Sequence, residues 1–249
     1  MNRVIFFSEG RVDAVLLESE GRYAFIDAGY RSNGLHCVKR LRALGVERLD
    51  WYMASHAHKN HVGGAGAIIR AFSPGVVYVP HARAAPAIIK YAAAGAERRA
   101  AEAVPCQILR PGAPGITLGA LRFEVWGPVS VRRCLAGALA ENDNSLIVRA
   151  VAPGGDSLLL TGDTSASILA GVEKTMPGAL RSTVLKNPHH NGALPSSVLS
   201  LIAPQTVVVC NSARPSASYR RRLAEQGAYL RTACTKARGG EGSVVVVLN

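Results

Sequence analysis

The 249-residue chain has no apolar run long enough to cross a bilayer as a helix. Its longest mainly apolar stretches, such as Gly242–Leu248 and Ser157–Thr161, are strand-sized, against the ~20 residues a spanning helix needs. A secretory leader pattern is missing too: Met1-Asn2-Arg3 is followed only by Val4–Phe7 before Ser8-Glu9, which leaves a cytoplasmic location as the expectation. The five cysteines (Cys37, Cys106, Cys134, Cys210, Cys234) are odd in number, widely spread and form no C-x-x-C pair. That argues against a disulfide framework and against a thiolate zinc site, and predicts small buried residues in a reducing compartment. No repeat and no Ser-, Gly- or Pro-rich linker divides the chain, so one domain over residues 1–249 is expected.

Acidic residues are scarce. Seventeen Asp and Glu face 29 Lys and Arg, for a formal charge of +12, a balance that concentrates anionic partners such as nucleic acid or phosphate esters. Part of it is regional: Arg214, Arg220, Arg221, Arg222, Arg231, Lys236 and Arg238 are set against Glu225 and Glu241 in the last forty residues. Arg220–Arg222 point in three directions on a helix, so they form no patch by themselves. With 48% hydrophobic residues, 18% charged, 25 glycines and 13 prolines, the composition is that of a globular protein with many turns.

Along the chain, Val4–Phe7, Ala14–Leu17 and Tyr23–Ile26 read as strands punctuated by Glu9-Gly10 and Glu20-Gly21. Leu35, Val38, Leu41 and Leu44 then recur at helical spacing from an N-cap at Ser32 to Gly45. Trp51–Ser55 reads as a strand, Val62–Phe72 as a small-residue helix, Val76–Val79 as a strand, and Ala84–Ala103 as one alanine-rich helix. Strands are predicted at Cys106–Leu109, Leu121–Trp126, Ser145–Val151 and Ser157–Thr161. Helices at Ser165–Met176, Ser196–Ile202 and Ser216–Gln226 then alternate with strands at Thr183–Lys186, Thr206–Val209, Ala228–Thr232 and Ser243–Leu248. Two packed sheets with outer helices accommodate this order.

Three segments carry chemistry. His56-Ala57-His58-Lys59-Asn60-His61 sits between a strand and a helix begun by Val62-Gly63-Gly64, so three imidazoles share one tight turn, where they suit Zn²⁺, Mn²⁺ or Fe²⁺. Asp163, in Thr161-Gly162-Asp163, ends an apolar strand; it is placed either to bridge two cations or to cap the helix near Ser165. His189-His190 follows Pro188 at the end of another strand, where one imidazole can bind metal while its neighbour bonds a substrate or a bridging water.

Taken in order, these segments resemble the metallo-β-lactamase superfamily, and within it the branch of the ComEC-type DNA-uptake hydrolase domains and phosphorylcholine esterases. Asp13–Leu17 is similar to the opening strand, Phe25–Gly29 to the Asp-x-Gly strand end, and Ser55–Gly64 to the H-x-H-x-D-H-x-G-G turn. Asn142-Asp143-Asn144-Ser145-Leu146 is similar to an N-x-S-L segment, and Pro188-His189-His190 to P-H-H-G-S. The resemblance implies an α/β fold, a four-layer αββα sandwich, with His56 and His58 ligating one metal, His61 and His189 the other, and Asp163 bridging. It places Asp27 behind a ligand imidazole.

Two positions depart from the pattern. Asn60 stands where the family has an aspartate, and as an amide it offers only a carbonyl oxygen to a metal and cannot act as a base; the second metal is therefore expected to bind more weakly. Arg214 stands where the branch has a histidine. The implied activity is metal-dependent hydrolysis, with one or two divalent ions (Zn²⁺, or Mn²⁺) and Asn60, Asp163 and His190 at the reaction. Lys59, Asn144, His190 and Arg214 are the candidates to hold an anionic substrate; together with the +12 charge, the branch resemblance implies a phosphodiesterase or nuclease acting on DNA or another phosphate ester. The alternatives are hydrolysis of a lactone, thioester or amide, and a binding module with a degraded metal site. A chain excised from a membrane DNA-uptake protein would work outside the cytoplasm.

Overall fold

The structure, a computed structural model, describes residues 1–113, 115–128, 141–211, 213–233 and 242–249. Cys134, Cys234, Lys236, Arg238 and Glu241 lie outside them. Two seven-stranded sheets face one another. The first runs in the order β14 (Val244–Leu248), β1 (Asn2–Phe6), β2 (Val15–Ser19), β3 (Arg22–Ile26), β4 (Trp51–Met53), β5 (Val76–Val79), β6 (Cys106–Ile108). The second runs β13 (Tyr229–Ala233), β12 (Thr206–Cys210), β11 (Val184–Lys186), β10 (Ser157–Leu160), β9 (Ile147–Val151), β8 (Leu121–Gly127), β7 (Ile116–Leu118).

Alternation along each strand sorts the side chains into layers. Val4, Phe6, Val15, Leu17, Ile26 and Met53 meet Phe123, Val125, Val148, Leu158, Leu160 and Val184 between the sheets. Their neighbours in sequence, such as Ile5, Leu16 and Phe25, face outward onto α1 (Arg31–Ala43), α3 (Ala65–Phe72), α4 (Ala84–Tyr91) and α5 (Ala96–Ala103). Leu159, Leu185 and Val207 likewise face α6 (Ala166–Thr175), α7 (Ser196–Ile202) and α8 (Ala217–Glu225). The layers are therefore α, β, β, α, as the family pattern implied.

Local differences from the sequence reading have physical causes. The segment read as one helix over Ala84–Ala103 is two, broken where Gly95 takes φ +79° and the Glu97 carboxylate accepts the Ala93 amide at 3.0 Å. The helix read over Val62–Phe72 is likewise split by Gly63-Gly64, giving a one-turn α2 (Lys59–Val62) before α3. Helix α1 is capped at Tyr30, two residues before the expected Ser32, because the Asn33 side chain accepts the Tyr30 amide at 3.0 Å. Strand β7 was not read from the sequence. Cys37 and Cys210 are buried as expected, but Cys106 is exposed, since it opens β6 at the rim of the first sheet.

Strands β3, β4, β5 and β6 run parallel, as do β10, β11, β12 and β13. The loops that follow β3, β4, β10 and β11 therefore leave the sandwich at one edge, the usual place for a site in a parallel sheet. Asp13 reaches the same edge from the start of β2, which is antiparallel to β3.

A candidate metal centre at the sheet edge

The histidine turn is held from below by Asp27. Its Oδ1 accepts the Ser55 backbone amide at 2.8 Å, and its Oδ2 accepts the Ser55 hydroxyl at 2.6 Å and lies 2.7 Å from His61 Nδ1. The Ala28 amide donates to the His61 carbonyl at 2.7 Å, so loop and turn are tied through backbone as well. With Nδ1 committed to Asp27, the His61 Nε2 points the other way, where Asp163 Oδ2 lies 3.3 Å off.

Asp163 arrives from the second sheet. Gly162 precedes it at φ +52°, where an added Cβ would fall 2.6 Å from the Ser145 hydroxyl. That hydroxyl in turn accepts the Asp163 amide at 3.0 Å. The cap of α6 is Ser165, so the capping alternative for Asp163 is not the one realised. The Asn142–Leu146 segment joins the two halves: Leu146 donates to the Ser55 carbonyl at 2.8 Å, and Asp143 accepts the Ser165 amide at 3.1 Å. Asn144, expected at the substrate, is fully buried, and neither of its amide atoms has a hydrogen-bond partner.

His189 and His190 both adopt left-handed φ, 51° and 57°, so successive side chains turn apart; their ring centroids are 6.4 Å apart at 79°. The structure places His190, and not His189, against Asp163. The His190 ring is buried, stacks on His61 at 5.0 Å, and its Nε2 is 3.6 Å from Asp163 Oδ2. His189 is half-buried; burial lowers its pKa, which the Asp163 charge opposes and the charges of His190 and Arg11 reinforce. Asn60 brings its amide nitrogen to 3.0 Å from His190 Nε2. His56 and His58 form a second pair, with His56 Nε2 and His58 Nδ1 3.0 Å apart, close to the ~3.3 Å that two ligands of one tetrahedral ion keep with bonds of ~2.05 Å. The His56 and His61 rings lie 4.1 Å apart, so the two groups adjoin.

Donor atoms of Asp13, His61, Asp163 and His190 all lie within 4.8 Å of one another. The fit to a cation rests on what these atoms lack. His61 Nε2 and Asp163 Oδ1 are buried with no hydrogen-bond partner, a costly arrangement unless something binds them. The electrostatics agree. Burial disfavours a charged His61, yet Asp163 and Asp27 raise its pKa to about 10. Burial likewise opposes ionised Asp163, yet the His61 and Lys186 charges hold it well below the usual carboxylate range. His56, by contrast, is driven strongly toward the neutral form by burial and by its His61 neighbour.

Several members of this neighbourhood were not singled out from the sequence. In the sequence Asp13 stands out only as the start of a strand segment, yet Lys186 forms a buried ion pair with it. The available signal was the period of two: Val184 faces the intersheet core, Leu185 faces outward, so Lys186 must face inward. Glu141 accepts the Ala57 amide at 2.7 Å and lies 3.0 Å from His81 Nε2, buttressing the histidine turn from outside. Burial opposes the ionised Glu141, but the His81 and Ala57 hydrogen bonds hold its pKa below the ordinary glutamate value. Lys59 and Arg214 are both exposed; the Arg214 carbonyl accepts from Asn191 at 3.5 Å, next to the paired histidines.

Residues 8–116 match the family described as the Metallo-beta-lactamase superfamily. Among curated proteins, none matches the chain in sequence. Among solved structures, the chain is similar to Igni18, a novel metallo hydrolase of the archaeon Ignicoccus hospitalis. Identity is 14%, the TM-score is 0.59, and 100% of this chain and 99% of that one are covered. A mutant of CmlA beta-hydroxylase aligns at 12% identity and TM-score 0.62 over 99% of this chain and 54% of its own. A Cronobacter sakazakii metallo-beta-lactamase with a HARLDQ motif aligns at 16% and 0.50 over 73% and 76%. These likenesses to solved structures show the fold.

Proposed function

We propose that the chain is a metal-dependent hydrolase acting on a phosphodiester, with His56 and His58 holding one divalent ion and His61, Asp163 and His190 a second. The observation that carries the metal reading is the pair of buried donors with no hydrogen-bond partner, His61 Nε2 and Asp163 Oδ1, facing a third donor on His190. Imidazole and carboxylate donors without thiolate suit Zn²⁺, and Mn²⁺ next. A divalent ion bound there supplies charge for phosphoryl oxygens and lowers the pKa of bound water toward ~7.

The protein's own residues do the rest. Asp27 fixes the His61 ring by accepting from Nδ1, and Glu141 fixes the backbone between His56 and His58. Arg11, exposed and near His189, together with Arg214 and Lys59, offers positive charge for a substrate anion at the rim. The phosphodiester assignment is supported by the +12 charge and by the motif likeness to the DNA-uptake and phosphorylcholine esterase branch.

The test is a substrate panel with zinc- or manganese-loaded protein: bis(p-nitrophenyl) phosphate, single- and double-stranded DNA, a lactone, a thioester and a β-lactam. Phosphodiester cleavage that is lost in His56→Ala supports the proposal. Cleavage confined to a carbonyl substrate overturns the phosphodiester reading and leaves the hydrolase. No turnover together with less than one tightly bound ion per chain overturns both, in favour of a binding module.

A further inference from the structure

We propose that Asp13 is a positioning residue, not a metal ligand: locked by Lys186, it holds the His190 ring from behind so that its Nε2 faces the ion. The inference rests on the metal reading above and assigns roles to Asp13 and Lys186, to which that reading gives no part.

The two carboxylates of the cluster sit on opposite sides of the imidazoles. Asp163 Oδ2 approaches the Nε2 atoms, at 3.3 Å from His61 and 3.6 Å from His190. Asp13 approaches the Nδ1 atoms, at 3.2 Å from His190 and 3.8 Å from His61. An ion shared by the Nε2 atoms and Asp163 therefore has Asp13 at its back. The partners of the oxygens say the same. Both Asp13 oxygens are engaged, Oδ1 with His190 and Oδ2 with the Lys186 ammonium, whereas Asp163 Oδ1 has no partner.

Lys186 makes this assignment stiff. Its side chain enters the space between the sheets and is only 1% exposed. Besides pairing with Asp13 it donates to the Gly162 carbonyl at 3.1 Å, one residue before Asp163. If Asp13 turned to ligate an ion, that buried ammonium would lose its ion-pair partner, which is strongly unfavourable. With Asp13 held, its Oδ1 accepts from His190 Nδ1–H and leaves the Nε2 lone pair free, the arrangement that outer carboxylates impose on metal-binding histidines. The Asn60 amide nitrogen at 3.0 Å from Nε2 is consistent with a bare acceptor there.

Three measurements decide it, on the full chain. Nitrogen-15 imidazole spectra of the zinc-loaded wild type should show His190 protonated at Nδ1; a His190 protonated at Nε2 overturns the proposal. Chelator competition should then give zinc affinity for two charge-neutral double variants. Asp13→Ala with Lys186→Met removes acceptor and ammonium together and should bind zinc about 10–100-fold more weakly. Asp13→Asn with Lys186→Met keeps an acceptor and should recover most of that loss. Equal affinity in wild type and the folded alanine variant overturns the positioning role, as does equal weakness in both variants. If the alanine variant does not fold, the wild-type tautomer decides. A wild type that takes up no zinc overturns the metal reading itself, a result separate from any difference between variants.

Discussion

Gly64 offers a sharp test of how the fold positions the histidine turn. It lies between α2 and α3, and its amide donates to the Gly29 carbonyl at 3.1 Å. A Cβ placed there would fall 2.4 Å from the Ala28 carbonyl oxygen, 2.8 Å from Gly34 Cα and 2.9 Å from Gly34 N. All three are backbone atoms, so no side chain can swing away; the loop after β3 must move against α1. Because the Ala28 amide holds the His61 carbonyl, that movement reaches the donor set. Overpacking of this kind costs about 1–3 kcal/mol. At about 2–4 °C per kcal/mol for a chain of this size, the Gly64→Ala melting midpoint should fall by about 2–12 °C. The control is Gly171→Ala inside α6, where a Cβ meets nothing within 4 Å. Relief of glycine's backbone entropy there should stabilise by about 0.5–1 kcal/mol. Scans should be run in chelator, so that ion binding does not mix with packing, and zinc affinity measured separately. A Gly64→Ala protein that melts at or above the wild type, or that melts lower while binding zinc as tightly, would refute the reasoning.

Other outcomes follow from the same geometry. Asn60→Asp places a carboxylate beside His190 Nε2 and should tighten the second ion by about tenfold or more, read by chelator competition. Zinc at about 100 times its dissociation constant should stabilise by about 2.7 kcal/mol, so EDTA should lower the melting midpoint by about 5–11 °C. Glu141 has its pKa depressed by its hydrogen bonds, so its ionised form adds stability above the ordinary glutamate value that is lost as pH falls through and below it. Glu141→Gln should therefore lower stability at neutral pH and flatten the acid limb of stability against pH, followed by urea unfolding.

The fold was largely legible because strand period and turn residues carry it: Val184-Leu185-Lys186 and Val15-Leu16-Leu17 alternate between core faces, as a two-sheet sandwich requires. The histidine turn was legible because its three imidazoles fall within six consecutive positions. What was not legible depends on backbone torsions and long-range pairing. Which of His189 and His190 turns inward is settled by two successive left-handed residues, and sequence spacing does not encode that. Asp13 and Lys186 each look like an isolated charge in an apolar strand. Only the docking of the two sheets reveals that they neutralise one another. The break at Gly95 was visible as a glycine, but an alanine-rich run on both sides masked its effect.

The contact between Asp13 and His190 spans 177 positions of the chain. Asp13 leads into β2 of the first sheet and His190 follows β11 of the second, so neither sheet alone contains the centre. Closing so long a loop is slow and entropically late. On the proposed metal reading, ion capture at His61, Asp163 and His190 would therefore be a timer on folding: a nascent or half-folded chain offers histidines in a turn but no closed site. In refolding, appearance of the tight zinc site should coincide with docking of the sheets, after strand and helix formation. The same separation would make an ion bound there a clasp across the sandwich, resisting the parting of its two halves.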